Sequence, residues 1–75
     1  MPVTGQIEYD VSNTQLTMDI EKLAIENGAI KIGGTYYIPL SNTIKVVFDN
    51  NSQFKAFKKQ CENNFSSVKV KEFFS

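Results

Sequence analysis

The chain has 75 residues, 41% of them hydrophobic, and its eight lysines balance eight acidic residues. This length predicts one domain, and the hydrophobic content is too high for low-complexity disorder. No apolar run could cross a membrane, the N-terminus does not resemble a signal peptide, and one cysteine forms no internal disulfide. We therefore expect a soluble cytoplasmic protein.

The first predicted element is an N-terminal hairpin. Residues 7–11 and 16–20 both alternate apolar with polar side chains, and the turn Ser12-Asn13-Thr14-Gln15 separates them. A two-residue loop at Asn13-Thr14 places their apolar side chains on one face, as a half-buried antiparallel hairpin requires.

A helical signal competes with the second strand of this hairpin. Thr17 can cap a helix, acidic residues follow in its first turn, and Ile20, Leu23 and Ala24 have helical spacing. Asn27-Gly28 is a typical helix end. The prediction therefore ends the second strand near Met18 and places a short helix over residues 19–27.

Residues 29–38 predict a second hairpin. Two β-rich segments, 29–32 and 35–38, flank Gly33-Gly34, and a Gly-Gly pair between such segments is typical of a tight turn. The predicted pairing leaves apolar side chains on both faces. One of those faces is then available for a partner, unless helices 19–27 and 52–64 cover one face each.

The C-terminal half predicts a strand, a helix and a strand. Strand 43–48 has apolar side chains on both faces and is expected to be central. Helix 52–64 follows, with a cap at Asn50, Asn51 or Ser52, an end at Asn63-Asn64 and an apolar stripe formed by Phe54, Phe57, Cys61 and Phe65. In the last strand Val68 and Val70 point inward, and a parallel arrangement of the two strands implies a right-handed crossover.

Together these elements predict a single small α+β domain with about five mostly antiparallel strands and two helices. Its composition excludes much catalytic chemistry, because the chain has no His and no Arg. Gly33-Gly34 is not a phosphate-binding loop, since it does not open a helix. Cys61 is expected in the core, where burial makes a thiol unreactive. We expect no enzyme activity, no catalytic residues and no cofactor.

Acidic residues cluster in the predicted N-terminal hairpin. Glu8, Asp10 and Asp19 share its outer face, with Glu8 opposite Asp19. Like charges at such positions are unfavourable unless something relieves them. Solvent, a basic patch of a partner or a divalent cation could do so, although no loop supplies the ligands that calcium needs. No metal site is predicted.

The predicted function is regulation or inhibition of a protein partner by a small binding protein. Tyrosine is favoured at interfaces, so the partner is expected to contact the second hairpin and the acidic face. The exclusive use of Lys and the many Asn residues indicate an AT-rich coding source, such as a low-GC bacterium or its phage. The predicted partner-binding residues are Lys31, Tyr36, Ile38, Glu8, Asp10 and Asp19.

Nucleic-acid binding is the alternative. It rests on lysines of the predicted helix and last strand, namely Lys55, Lys58, Lys59, Lys69 and Lys71. Charge is also divided along the chain: residues 1–26 hold five acids and one Lys (−4), and residues 27–75 hold seven Lys and three acids (+4). This division of charge can steer a partner or pair one protomer with another in a homo-oligomer. The alternative is that the two halves fold together and their fields largely cancel.

Two segments, "LTMDIEKLA" and "AIKIGGTYYIPL", resemble parts of excisionase-type winged helix-turn-helix proteins. The resemblance implies a short helix followed by a β-wing. The stretch between the two segments lacks room for a recognition helix, so the resemblance implies no reading of DNA.

Overall fold

A computed structural model describes residues 2–10, 12–38 and 41–73, without the side chains of residues 33–42 and 73. These described residues form two helices and four strands. In order, they are β1 (Val3–Glu8), α1 (Thr14–Glu26), β2 (Lys31–Ile38), β3 (Ser41–Phe48), α2 (Asn51–Asn64) and β4 (Lys69–Phe73).

The four strands form one sheet in the order β2-β3-β1-β4, and every neighbouring pair is antiparallel. Strands β3 and β4 are both antiparallel to β1, so they are parallel to each other with β1 between them. The same holds for β1 and β2 on either side of β3. This is the split βαβ connectivity of ferredoxin-like folds. The predicted small α+β domain is confirmed, with four strands in place of about five.

The predicted N-terminal hairpin is wrong, because residues 14–26 form α1. The helix begins after Asn13, whose side-chain Oδ1 accepts a hydrogen bond from the backbone N–H of Leu16 at 3.0 Å. Thr17 lies inside the helix, and its hydroxyl bonds to the Tyr9 hydroxyl at 2.6 Å. Met18 is 62% exposed, because α1 turns Ile20 and Ala24 towards the core, whereas the hairpin would have buried Met18. The predicted end at Asn27-Gly28 is confirmed, with Gly28 at φ 93°.

The predicted Gly-Gly hairpin is also wrong. Strand β2 continues through Gly33-Gly34 and forms its hairpin with β3, so that Ile38 pairs with Ser41. Between Gly33 and Tyr36, β2 spans one more residue than the facing segment of β3. The glycine pair therefore marks a β-bulge, a feature that glycine also favours. Pro39 and Leu40 lie outside the described residues.

The predicted order of strand, helix and strand in the C-terminal half is confirmed. Helix α2 begins after Asn50, whose Oδ1 accepts a hydrogen bond from the Gln53 N–H at 3.0 Å. Strand β3 lies between two other strands, as its two apolar faces predict. The buried side chains are those expected: Ile44, Val46, Phe48, Phe54, Phe57, Cys61, Val68 and Val70.

Both helices lie on one side of the sheet. Ile20 and Ala24 of α1 and Phe57 of α2 join a single core cluster with the buried side chains of the strands. The helices also contact each other through the side chains of Asn27 and Gln60, with Asn27 Nδ2 donating to Gln60 Oε1 at 3.2 Å. The alternative, in which each helix covers a different face, is therefore wrong.

Strand β1 lies very close to α2. A Cβ atom at Gly5 would come within 2.5 Å of the Phe54 ring, so glycine lets the aromatic side chain pack directly on the strand backbone.

Across the described part of the chain, neither helix has the length and apolarity needed to span a membrane.

Candidate functional site

The side of the sheet opposite the helices is the candidate site, and we call it the uncovered face. Side chains alternate along β1: Ile7 is fully buried against the helices, and its neighbours Gln6 and Glu8 belong to the other face. No described helical residue lies over this other face. Most of its described side chains are exposed or half-buried, although Thr43 is buried.

Strand pairing brings four lysines together on the uncovered face. Lys45 and Lys71 both pair with Gln6, one from each side of β1. Lys69 pairs with Glu8, and Lys31 pairs with Val47 at the other end of the face. Each of the four lysines is exposed or half-buried. With Glu8 as the one acid among these positions, the face carries a net charge of +3.

The centre of the uncovered face is mostly polar and carries no aromatic side chain. Along β1 and β3, the two interior strands, the positions on this face are occupied by Thr4, Gln6, Glu8, Thr43, Lys45 and Val47. None of these six residues is aromatic. The aromatic residues in the same rows, Tyr36 and Phe73, belong to the edge strands, and their side chains lie outside the described part of the structure.

The predicted partner-binding residues divide between different surfaces. Glu8 and Lys31 belong to the uncovered face. Tyr36 and Ile38 lie in β2, paired with Thr43 and Ser41, so the register predicted for them in a Gly-Gly hairpin is wrong. The side chains of Tyr36 and Ile38 lie outside the described part of the structure.

The predicted acidic face does not exist, because Asp19 belongs to α1 and cannot face Glu8 across a hairpin. Its carboxylate accepts a hydrogen bond from Gln15 Nε2 at 3.0 Å. Asp10 follows β1, and its Oδ1 accepts hydrogen bonds from the hydroxyl and backbone N–H of Ser12. These bonds lower the pKa of the Asp10 carboxyl. Among the described residues, no three potential metal ligands come together.

The lysines of the nucleic-acid alternative also separate. Lys69 and Lys71 belong to the uncovered face, whereas Lys55, Lys58 and Lys59 lie on α2, on the other side of the sheet. Sequence reasoning missed Lys45. A signal for it was available, since Lys45 lies between the inward-pointing Ile44 and Val46 of a correctly predicted strand.

Cys61 lies in the core, as predicted. Its side chain is fully buried, and burial, with a smaller contribution from the Glu62 carboxylate, raises the pKa of the thiol from 9.0 to about 11. A thiol needs its thiolate form to act as a nucleophile. This cysteine therefore offers no reactive group at neutral pH.

We expect the folded protein to react slowly with thiol reagents, and denaturant to accelerate the reaction. The Cys61 thiol has a pKa of 9.0 in the unfolded chain and about 11 in the folded protein, so it ionises at lower pH when the chain is unfolded. The stability that the buried, protonated thiol contributes is therefore lost as the pH rises from about 9 to 11. Unfolding of wild type and Cys61→Ala, compared across this range, should show their stability difference change by roughly 2–3 kcal/mol. Rapid labelling in native buffer would contradict the core assignment.

Comparison with known proteins does not assign this chain to a family: no protein-family model matches it, and no curated protein is similar to it. Of the two segments that resemble excisionase-type proteins, the first lies within α1, and residues 31–38 of the second form β2. The wing implied by the second segment is wrong, because Gly33-Gly34 continues a sheet strand and does not form the tip of a hairpin.

Proposed function

We propose that the protein is a non-enzymatic binding protein that attaches its uncovered face to an acidic surface of a protein partner and regulates that partner by covering it. The observation that supports this proposal is the gathering of Lys31, Lys45, Lys69 and Lys71 on one face of the sheet against a single acid, Glu8. The sequence contains neither His nor Arg, and its one cysteine is buried, which also favours binding over catalysis.

Charge determines the kind of partner. The whole chain is neutral, so a face with a net charge of +3 creates a local positive field balanced elsewhere on the molecule. Such a field steers a negatively charged surface towards the face and disfavours other partners. A second copy of this chain docked face to face would bring eight lysines together with two glutamates, and that arrangement is repulsive.

A protein partner fits this face better than a single-stranded nucleic acid does. Four-stranded sheets that bind single strands stack the bases on aromatic side chains. Here the central positions on β1 and β3 are Thr, Gln, Glu, Lys and Val, so the interior of the face offers no stacking surface. Glu8 beside Lys69 would also repel a phosphate, whereas it can accept hydrogen bonds from a protein.

Nucleic acid is the second candidate, because lysines without arginine can still neutralise phosphates. Binding would then depend steeply on salt, with a log–log slope of about −0.7 to −0.9 per phosphate neutralised. Recognition would be of the backbone and not of sequence, since no Arg is present to bond guanine edges in the bidentate manner.

A pull-down from the native host, with and without nuclease, tests the proposal. The test variant is Lys31→Gln/Lys69→Gln/Lys71→Gln, and its control, Lys55→Gln/Lys58→Gln/Lys59→Gln, removes the same charge from α2. We expect a protein to be retained by wild type and by the control after nuclease treatment, and to be lost with the test variant. Titration of the purified partner should then show binding weakened about tenfold or more.

Other outcomes would reject the proposal. Nucleic acid recovered alone and lost with the test variant would support the second candidate. A protein retained equally by the test variant, or lost only with the α2 control, would show that the uncovered face is not the binding surface. Circular dichroism establishes that each variant is folded before its binding is interpreted.

A further inference from the structure

We infer that the protein forms a two-fold symmetric dimer through its two helices, with α1 of each copy packed on α2 of the other. The surface concerned is the outer surface of α1 and α2, which we call the helix layer. It lies on the opposite side of the molecule from the uncovered face. The inference is therefore independent of the proposed function.

The first observation is an exposed apolar line on α1. Met18 and Ile25 are 62% and 63% exposed, the highest values among the large hydrophobic side chains described as exposed. They are seven residues apart, which places them on one side of the helix about 10 Å from each other. Lys22 lies between them, and Glu21 and Glu26 line the same shallow groove. Single exposed apolar residues are common, whereas these two lie on one side of the helix and line one groove.

The second observation is charge complementarity between the two helices. Asp19, Glu21 and Glu26 against Lys22 make the outer part of α1 acidic, with a net charge of −2. On α2, Lys55, Lys58 and Lys59 against Glu62 give +2, and these four residues line a second shallow groove. The aliphatic stems of lysines can also cover apolar side chains such as Met18 and Ile25.

The third observation is the position of the helices side by side, in contact through Asn27 and Gln60. A two-fold axis in the plane of contact, running along the groove between them, places each α1 on the α2 of the other copy. Both contacts are then between unlike charges, and the interface is self-complementary. A two-fold axis across the helices would place α1 on α1, with acids facing acids. The charge pattern thus selects one arrangement.

The size of the molecule allows such an interface. Its Cα atoms extend over 31 × 26 × 16 Å. Because both helices form a layer on one side of the sheet, we take the shortest extent as the direction through the two layers and the helix layer as one of the broad sides. A standard interface buries about 800 Å² on each partner, which is of the same order as that side. In each α1–α2 contact the apolar Met18 and Ile25 are flanked by charged residues, which matches the usual combination of apolar and polar groups in a protein interface.

Complementary charge reversals test the dimer. The first variant, Glu21→Lys/Glu26→Lys, makes α1 basic, and the second, Lys55→Glu/Lys59→Glu, makes α2 acidic. Each should be monomeric in sedimentation at low salt, with the dimer dissociation constant raised about 100-fold or more. An equimolar mixture should form a heterodimer, because the basic α1 then meets the acidic α2 and the unchanged α2 meets the unchanged α1.

The matched control reverses two charges on the uncovered face, Lys69→Glu/Lys71→Glu, and should dimerise like wild type. A third variant, Met18→Ser/Ile25→Ser, tests the apolar contribution without altering charge and should also weaken the dimer. Circular dichroism confirms folding in each case. A wild-type protein that stays monomeric at millimolar concentration, or a mixture of the two reversed variants that stays monomeric, would overturn the inference. Loss of the dimer in the control alone would place the interface on the uncovered face.

Discussion

Phe57→Ala should remove most of the stability of this domain. Phe57 is fully buried, and its ring centroid lies 5.3 Å from that of Phe48 on β3, so the side chain joins α2 to the sheet. Truncating a buried Phe typically costs about 3–5 kcal/mol. Domains are stable by only roughly 0.05–0.15 kcal/mol per residue, so a chain of this length has little stability left after such a loss. Chemical denaturation followed by circular dichroism measures the change.

The control for this prediction is Ile30→Ala. Ile30 is 55% exposed, so the truncation leaves no cavity and should shift stability by no more than about 0.5 kcal/mol. An effect of Phe57→Ala as small as that of the control would show that α2 does not pack on the sheet through this ring.

Ile7→Asp should prevent folding at neutral pH, whereas Gln6→Asp, one residue earlier, should be tolerated. Ile7 is fully buried near the end of β1, and an aspartate there loses the apolar contacts and places an unpaired carboxylate in the core. The expected cost exceeds about 4 kcal/mol. Gln6 belongs to the uncovered face, where its two direct neighbours across the sheet are Lys45 and Lys71. An acid between them gains attraction, so stability should stay within about 1 kcal/mol of wild type.

Thermal unfolding of the two variants measures this contrast between the two faces of the sheet. If Gln6→Asp were as damaging as Ile7→Asp, both faces would have to be covered. The folded Gln6→Asp variant has a second use: it lowers the positive charge of the uncovered face, so it should also bind an acidic partner less well than wild type does.

The second half of the fold could be predicted from sequence because its signals are local and agree with one another. The apolar stripe of α2, its cap at Asn50 and the alternation around Val46 and Val70 each indicate one structure. The first half could not, because Leu16, Met18 and Ile20 fit both a strand and a helix. The true partners of β1 are β3 and β4, which are distant in sequence, and no local pattern indicates them.

The hairpin predicted at Gly33-Gly34 is wrong because glycine pairs occur in more than one backbone feature. A Gly-Gly pair is compatible with both a tight hairpin and a bulge, and in the structure it forms a bulge.

The candidate site was predictable only in part, because it depends on how distant strands are arranged. Alternation alone shows that Lys69 and Lys71 point away from the core, but their gathering with Lys31 and Lys45 depends on the order of the strands in the sheet.

The interior position of β1 has a consequence for synthesis of the chain on the ribosome. This strand is made before the other described strands, yet both strands that pair with it belong to the second half of the sequence. Until β3 and then β4 have been made, the backbone of β1 lacks the strands that it pairs with in the sheet, and Ile7 lacks its cross-strand neighbours Ile44 and Val70. Over this interval the nascent chain is open to pairing with wrong strands, its own or those of other molecules. Final closure of the sheet waits for β4, whichever elements form earlier.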